Sequence, residues 1–169
     1  MAKKAGNGQE TLNLFSELEK ADLRYLVVGG LAAVLYGVKR ATFDVDIAVA
    51  PSTEDLGRLL DILKKLHFKK IVDIETGKDI AGIEDATPGM VLARESVRVL
   101  NDGPIDVMVV PTDKFDFLWS YRVETGYQGV KILVPSLLDL IRIKEQAGRP
   151  IDIQDAAALR HILRTRKRK

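Results

Sequence analysis

Two aspartates, Asp44 and Asp46, stand two residues apart in Phe43-Asp44-Val45-Asp46-Ile47, downstream of a glycine pair, Gly29-Gly30, that follows Val27-Val28. In an extended segment, residues two apart share a face, so both carboxylates point the same way. Like charges that close repel unless water or a cation compensates them. Hard divalent cations such as Mg²⁺ are held by one or two carboxylates plus substrate phosphates. Two such ions, about 3.5 to 4 Å apart, can stabilise the attacking and leaving oxygens of an in-line displacement. Asp106 is the candidate third carboxylate, a lone charge in the apolar run Pro104-Ile105-Asp106-Val107-Met108-Val109-Val110. Gly29 and Gly30 let the backbone approach a phosphate, and the helix expected after them offers free amides and a favourable dipole to an anion. Neither a Walker A pattern nor G-x-G-x-x-G is present, so this is a different phosphate cradle.

These residues need a scaffold, and the chain supplies an alternating series of helical and extended patterns. Leu12, Phe15, Leu18 and Ala21 recur at helical spacing over Glu10 to Asp22, and Arg24 to Val28 is a short buried strand. Leu31 to Tyr36 has good helix propensity and stops at Gly37. From Phe43 to Ala50, the positions Phe43, Val45, Ile47 and Val49 form a core face, with Asp44, Asp46 and Ala48 opposite. Pro51-Ser52-Thr53 opens a helix with an apolar stripe of Leu56, Leu59, Leu60, Leu63 and Leu66. Residues 69–94 resist assignment, being punctuated by Gly77, Gly82, Pro88 and Gly89. Ser96 to Leu100 and Pro104 to Val110 read as strands joined through Asn101-Asp102-Gly103. A helix over Lys114 to Ser120, a hairpin within Tyr121 to Val134, and helices over Ser136 to Ala147 and Ile153 to Leu163 complete the pattern.

The expected fold class is α/β, in the α+β sense: a small mixed sheet flanked by helices, with a short helical C-terminal extension. The expected division is a flexible N-terminus (1–8), a core (9–135), the extension (136–163) and a basic tail (164–169). At 169 residues and 46% hydrophobic content, one core suffices. A net charge of +2 gives no global argument for nucleic acid or membrane. The absence of cysteine excludes disulfides, thiolate metal sites and cysteine nucleophiles, and suits a reducing compartment. With no signal peptide and no apolar run near ~20 residues, a cytoplasmic protein without a membrane partner is expected.

The segment Val28-Gly29-Gly30 … Arg40-Ala41-Thr42-Phe43-Asp44-Val45-Asp46-Ile47, with Asp106 on a later strand, resembles the DNA polymerase β-like nucleotidyltransferase superfamily. The likeness is to its small prokaryotic members, the minimal nucleotidyltransferases and the toxins of abortive-infection toxin–antitoxin pairs. It implies that Gly29, Gly30 and the following helix hold a nucleoside triphosphate, and that Asp44 and Asp46 bind two Mg²⁺ ions. Asp106 would join them as metal ligand and help activate the acceptor hydroxyl. The implied reaction moves a nucleoside monophosphate from NTP to that hydroxyl and releases pyrophosphate. The acceptor stays open among a small molecule, a tRNA 3′ end and a protein hydroxyl, and the toxin branch implies a cognate antitoxin. Many members carry Gly-Ser where this chain has Gly29-Gly30, which leaves the serine's phosphate contact to backbone amides.

Several residues carry two readings. Lys144 continues the stripe of Leu137, Leu140 and Ile141, either as an ammonium on the triphosphate, as the resemblance suggests, or as a snorkelling lysine. Lys39 and Arg40 either meet phosphate or acceptor, or are ordinary loop charges. Asp152 and Asp155 read as caps of the last helix rather than as metal ligands. His67 and His161 have no partners at metal-ligand spacing. Trp119 and Tyr121 pack in the core or stack on a base, and the tail from Arg164 is solvated or contacts RNA phosphates. Two rival functions remain beside nucleotidyl transfer: a catalytically silent nucleotide- or RNA-binding module of a toxin–antitoxin or regulatory system, and a metal-dependent phosphohydrolase.

Overall fold

The computed structural model describes residues 8–101 and 103–166. The chain runs α1 (Gly8–Lys20), β1 (Tyr25–Val28), α2 (Gly29–Tyr36), β2 (Val45–Val49) and α3 (Thr53–Lys65). It continues through β3 (Lys70–Asp73), β4 (Asp79–Gly82), a 3₁₀ turn (Ile83–Asp85) and α4 (Pro88–Leu92). Then come β5 (Ser96–Leu100), β6 (Pro104–Val109), α5 (Thr112–Ser120), β7 (Val123–Tyr127), β8 (Val130–Val134), α6 (Leu137–Ala147) and α7 (Pro150–Arg166).

The main sheet has the order β1-β2-β6-β5-β3-β4, and every neighbour is antiparallel except the parallel pair β2/β6. It is therefore the mixed sheet expected. The hairpin β7/β8 forms a second, two-stranded sheet beside β1 and α1. In the β2/β6 register, Val45, Ile47 and Val49 meet Ile105, Val107 and Val109, while Asp46 meets Asp106. The odd positions of this register belong to the core or pack on it, and the face carrying the two aspartates is left for chemistry.

Local signals set the helix ends. The Ser52 hydroxyl accepts from the Asp55 amide at 3.1 Å, with Glu54 and Asp55 in the first turn of α3 and Lys64 and Lys65 in its last. The Ser136 hydroxyl accepts from the Asp139 amide at 3.2 Å at the start of α6. Gly37 (φ 113°) and Gly148 (φ 68°) end α2 and α6 in the left-handed region. The helices α6 and α7 pack on each other and both reach α2.

Some expectations move. Helix α2 begins at Gly29 itself rather than at Leu31, and β2 begins at Val45, so Asp44 precedes the strand. Phe43, expected on the core face, is 60% exposed for the same reason: the chain is not yet paired there. Residues 69–94 contain two four-residue strands, the 3₁₀ turn and one short helix. Helix α7 starts before Ile153 and runs to Arg166, through the first residues of the expected tail. Residues 1–7, Asp102 within the expected turn, and residues 167–169 lie outside the described residues. Among the described residues, no helix is long and apolar enough to cross a membrane.

Candidate active site

The register of β2 and β6 sets Asp46 beside Asp106, and Asp44 lies one step upstream of β2. Burial pushes the Asp46 carboxyl up to about 6, and the charges of Asp106 and Asp44 push the same way against Lys144 and Arg149. Asp106 is not the unpartnered charge its apolar strand suggested. Arg98 stands opposite it on β5 and binds it with both arms, Nε to Oδ1 at 2.7 Å and Nη2 to Oδ2 at 2.8 Å. That hydrogen bonding in turn raises the Arg98 pKa.

The glycine pair fits around this cluster. Gly29 has φ 65°, and a Cβ added to it would fall inside the Asp46 carboxylate, against Oδ2. Val28, at the N-cap of α2, offers no side-chain oxygen, so the first amides of the helix keep no capping partner. A Cβ on Gly30 would stand 2.6 Å from Arg40 Nη2 and 2.7 Å from Thr42 Oγ1. The guanidinium of Arg40 thus occupies the space a side chain at position 30 would take.

Arg40 opens a chain of charges that runs into the C-terminal helices. Its Nε and Nη2 donate to Asp155 at 2.8 and 3.0 Å. Lys144, 2% exposed, reaches Asp155 Oδ2 at 2.8 Å and Asp152 Oδ1 at 2.9 Å. Arg149 closes the chain on Asp152 at 2.6 Å. Burial would push the Asp152 and Asp155 carboxyls up, but hydrogen bonds from Arg149, Arg40 and Lys144 outweigh it and hold both below the usual range. These two aspartates are ion-pair partners inside α7 rather than caps. Lys144 is not a snorkelling lysine, since its ammonium is buried and held by two carboxylates. Three cations face two acids, which leaves one positive charge in excess beside the carboxylate cluster.

Sequence reasoning had passed over Arg98 and Arg149. Arg149 follows Gly148 at the α6 end, with its side chain 71% exposed, anchored by Asp152 and within electrostatic reach of Asp46. Trp119 stacks on Phe115 and lies under Arg24 and Arg122, so it is held within the protein, whereas Tyr121 is exposed beside Phe117. Among the described residues, no group of three acidic or imidazole side chains is already gathered as a metal site. The donor set nonetheless suits Mg²⁺, because Asp44 and Asp46 are hard oxygen ligands with excess negative charge between them and Asp106.

Two outcomes follow from this packing. A carboxyl whose folded pKa exceeds its unfolded value subtracts stability as it ionises, from about pH 4 upward and fully above about pH 6. In EDTA, Asp46→Asn should therefore be more stable than the parent above pH 6, by up to about 3 kcal/mol, and melt at a higher temperature there, with the gain gone below about pH 4. Thermal melts across that range measure it, and a loss of stability at pH 7 would contradict it. Gly29→Ala should lose at least ~1–2 kcal/mol from its left-handed backbone alone and displace Asp46, read by urea unfolding and by the Asp46 carboxyl signal in NMR.

The comparisons with known proteins bear on family and fold. A family model described as nucleotidyltransferase of unknown function (DUF6036) matches residues 9–164. No curated protein sequence matches the chain. Among solved structures, a protein of Thermotoga maritima assigned as a nucleotidyltransferase shares 19% identity at TM-score 0.59, covering 96% of this chain and 95% of its own. The lincomycin-bound lincosamide antibiotic adenylyltransferase LnuA shares 16% identity at TM-score 0.61, covering 91% and 96%. ANT(2″)-Ia in complex with adenylyl-2″-tobramycin shares 16% at TM-score 0.55, covering 95% and 99%. At these identities the likeness is one of fold, and the family model, which spans nearly all the described residues, decides membership: the chain belongs to this nucleotidyltransferase family.

Proposed function

We propose that the protein transfers a nucleoside monophosphate from an NTP to an acceptor hydroxyl, with Mg²⁺ and release of pyrophosphate. The observation that carries this reading is Asp46, which is in register with Asp106, lies against Gly29 at the start of α2, and has its pKa raised to about 6 by burial and by the charges of Asp106 and Asp44. Asp44, Asp46 and Asp106 would hold the metal, Asp106 being the one that Arg98 also binds. The ions, when bound, supply Lewis-acid stabilisation of the charge that develops on the phosphoryl oxygens. The amides of Gly29 and Gly30 receive the triphosphate, and Arg40, held by Asp155, faces it from the other side. Lys144 acts on the nucleotide through Asp152 and Asp155, which set Arg149 and Arg40 in place. The helices α6 and α7, spanning the 136–163 extension, thereby complete a site built on the 9–135 core.

In the chemical step, the acceptor oxygen bonds to the α-phosphorus as the bond to the β-phosphate oxygen breaks. The electron pair leaves with pyrophosphate, and Asp106 takes the hydroxyl proton. Positioning and fixed charge do most of the work. The absence of cysteine supports a cytoplasmic setting. Because the proteins named for lincosamide and tobramycin share this fold, a small-molecule hydroxyl is the first acceptor class to try, beside tRNA ends and protein hydroxyls.

The silent module, with an antitoxin as partner, has one observation in its favour: Arg98 engages both oxygens of Asp106. Incubating the protein with each α-labelled NTP, Mg²⁺ and a cell extract separates the readings. Label should enter the small-molecule, nucleic-acid or protein fraction with equimolar pyrophosphate, and Asp46→Asn should abolish it with the fold intact. Nucleotide binding with no label transferred would favour the silent module, and release of inorganic phosphate would favour a hydrolase. The position of Arg40 gives a finer test. Arg40→Ala and Gly30→Ala should each weaken NTP binding about tenfold, and the double variant should be no worse than either alone, because both remove the same guanidinium from the same place. Additive losses in a titration of the four proteins would separate Arg40 from the cradle.

A further inference from the structure

Helix α2 is apolar on both sides. Ala32, Ala33 and Tyr36 are buried in the core, but Leu31, Val34 and Leu35, at helical spacing on the other side, are only half-buried. That second stripe faces a recess of about 310 Å³ between α1, α2, the segment before β2, the start of β6 and the β7/β8 hairpin. Ile105 and Ile132 share its lining with Leu31 and Val34. Phe43 and Tyr127 also line it, and they are 60% and 50% exposed, two large apolar side chains that no described residue covers. Polar groups stand on two sides, Glu10 and Thr11 of α1 on one and Arg40, Thr42 and Asp44 on the other, where Asp44 connects the recess to the carboxylate cluster.

We infer that this recess seats the apolar body of the acceptor, and that the acceptor is a small alcohol carrying a ring or a branched apolar group beside its hydroxyl. The inference rests on the nucleotidyl-transfer reading and names its acceptor class. The volume is at the lower end of small-molecule sites, about 300–1,000 Å³, and the apolar lining with a few convergent polar groups has the character of such sites. A nucleic-acid chain or a folded protein reaches it only with a single nucleotide or side chain. A nucleobase finds hydrogen-bonding partners only at Glu10 and Thr11 or at Arg40, Thr42 and Asp44, since Leu31, Val34, Ile105 and Ile132 offer its polar edge none. An apolar alcohol instead buries its hydrocarbon on that lining and leaves its hydroxyl at the wall of Asp44. The bonds to phosphorus change as given for the transfer above, and the hydroxyl proton passes to the carboxylate cluster, of which Asp44 lines the recess.

The test uses the full chain with methyl-labelled Leu, Val and Ile, and the probes 2-phenylethanol and cyclohexylmethanol, with galactose as the polar control. The two apolar alcohols should shift the methyls of Leu31, Val34, Ile105 and Ile132 saturably, with galactose silent and with the shifts kept when ATP and Mg²⁺ are saturating. With α-labelled ATP, the apolar alcohols should be labelled at least tenfold faster than galactose. Val34→Trp fills the recess, and Phe43→Ser strips its rim without filling it. Each should reduce labelling of the alcohols at least tenfold while the ATP dissociation constant stays within twofold. Absent shifts, shifts displaced by ATP, which would mark the recess as a nucleobase site, or probe binding without the labelling preference would each overturn the inference. Failure of ATP with Mg²⁺ to perturb Gly29 and Asp44 is a separate result, because it removes the nucleotidyl-transfer reading whatever the probes do.

Discussion

The candidate site depends on one constraint: the Asp46 carboxylate is buried, and Asp106 and Asp44 repel it. Adjacent strands lie about 4.8 Å apart, so two ionised carboxylates in register repel by about 3 kcal/mol at an effective dielectric of ~20. A parallel pairing of β2 with β6 puts them there, and Asp44 adds a third charge. The surroundings answer that repulsion. Arg98 pairs with Asp106 across β5, the fields of Lys144 and Arg149 reach Asp46, and Gly29 gives up its side chain so that the Asp46 carboxylate has somewhere to lie. Burial raises the Asp46 pKa, the charges of Asp106 and Asp44 add to it, and the more distant Lys144 and Arg149 offset only part. A cluster kept in this state has a standing preference for cations.

The same constraint explains why the last two helices belong to the site. An isolated buried lysine is strongly disfavoured, and Lys144 is tolerable only because Asp152 and Asp155 share it. Each of those acids has a second cation, Arg149 or Arg40, so the charges come in a chain whose ends lie near the carboxylates and beside Gly30. Each buried member has two partners, and the chain ties α6 and α7 to the loop that follows α2. The orientation of Arg40 over Gly30 is therefore decided by a residue on the last helix.

Most of the fold was legible because its long elements carry strong periodicity or clear caps. Helix α3 shows its leucine stripe and Ser52, α6 shows Ser136 and Gly148, and the expected strands of 96–110 were found within a residue of β5 and β6. Residues 69–94 were not legible, and the reason is physical. The strands β3 and β4 have four residues each, too few for an alternation to stand out, and β4 is an edge strand with no buried residue. Phe43 misled in the opposite direction, because alternation extrapolated one pair of residues beyond the end of β2 assigned it to a core that stops at Val45.

At the site, the carboxylates and glycines stood out by type and spacing, whereas their partners did not. Arg98 was within reach of the sequence. A three-residue connection that pairs Leu100 with Pro104 also pairs Arg98 with Asp106 two steps along the ladder, so the lone charge of β6 had a partner implied by the turn already expected there. Arg40 and Asp155 are a different case. They are 115 residues apart, and no periodicity links a loop before β2 to the middle of α7. The packing of α7 near α2 brings them together, and α7 buries Ala156 and Leu159 alongside Asp152 and Asp155. A buried ion pair adds little net stability over an apolar contact, so the apolar residues contribute most of what holds α7 there. The charges around Gly30 are thus the ones a linear reading is least able to join.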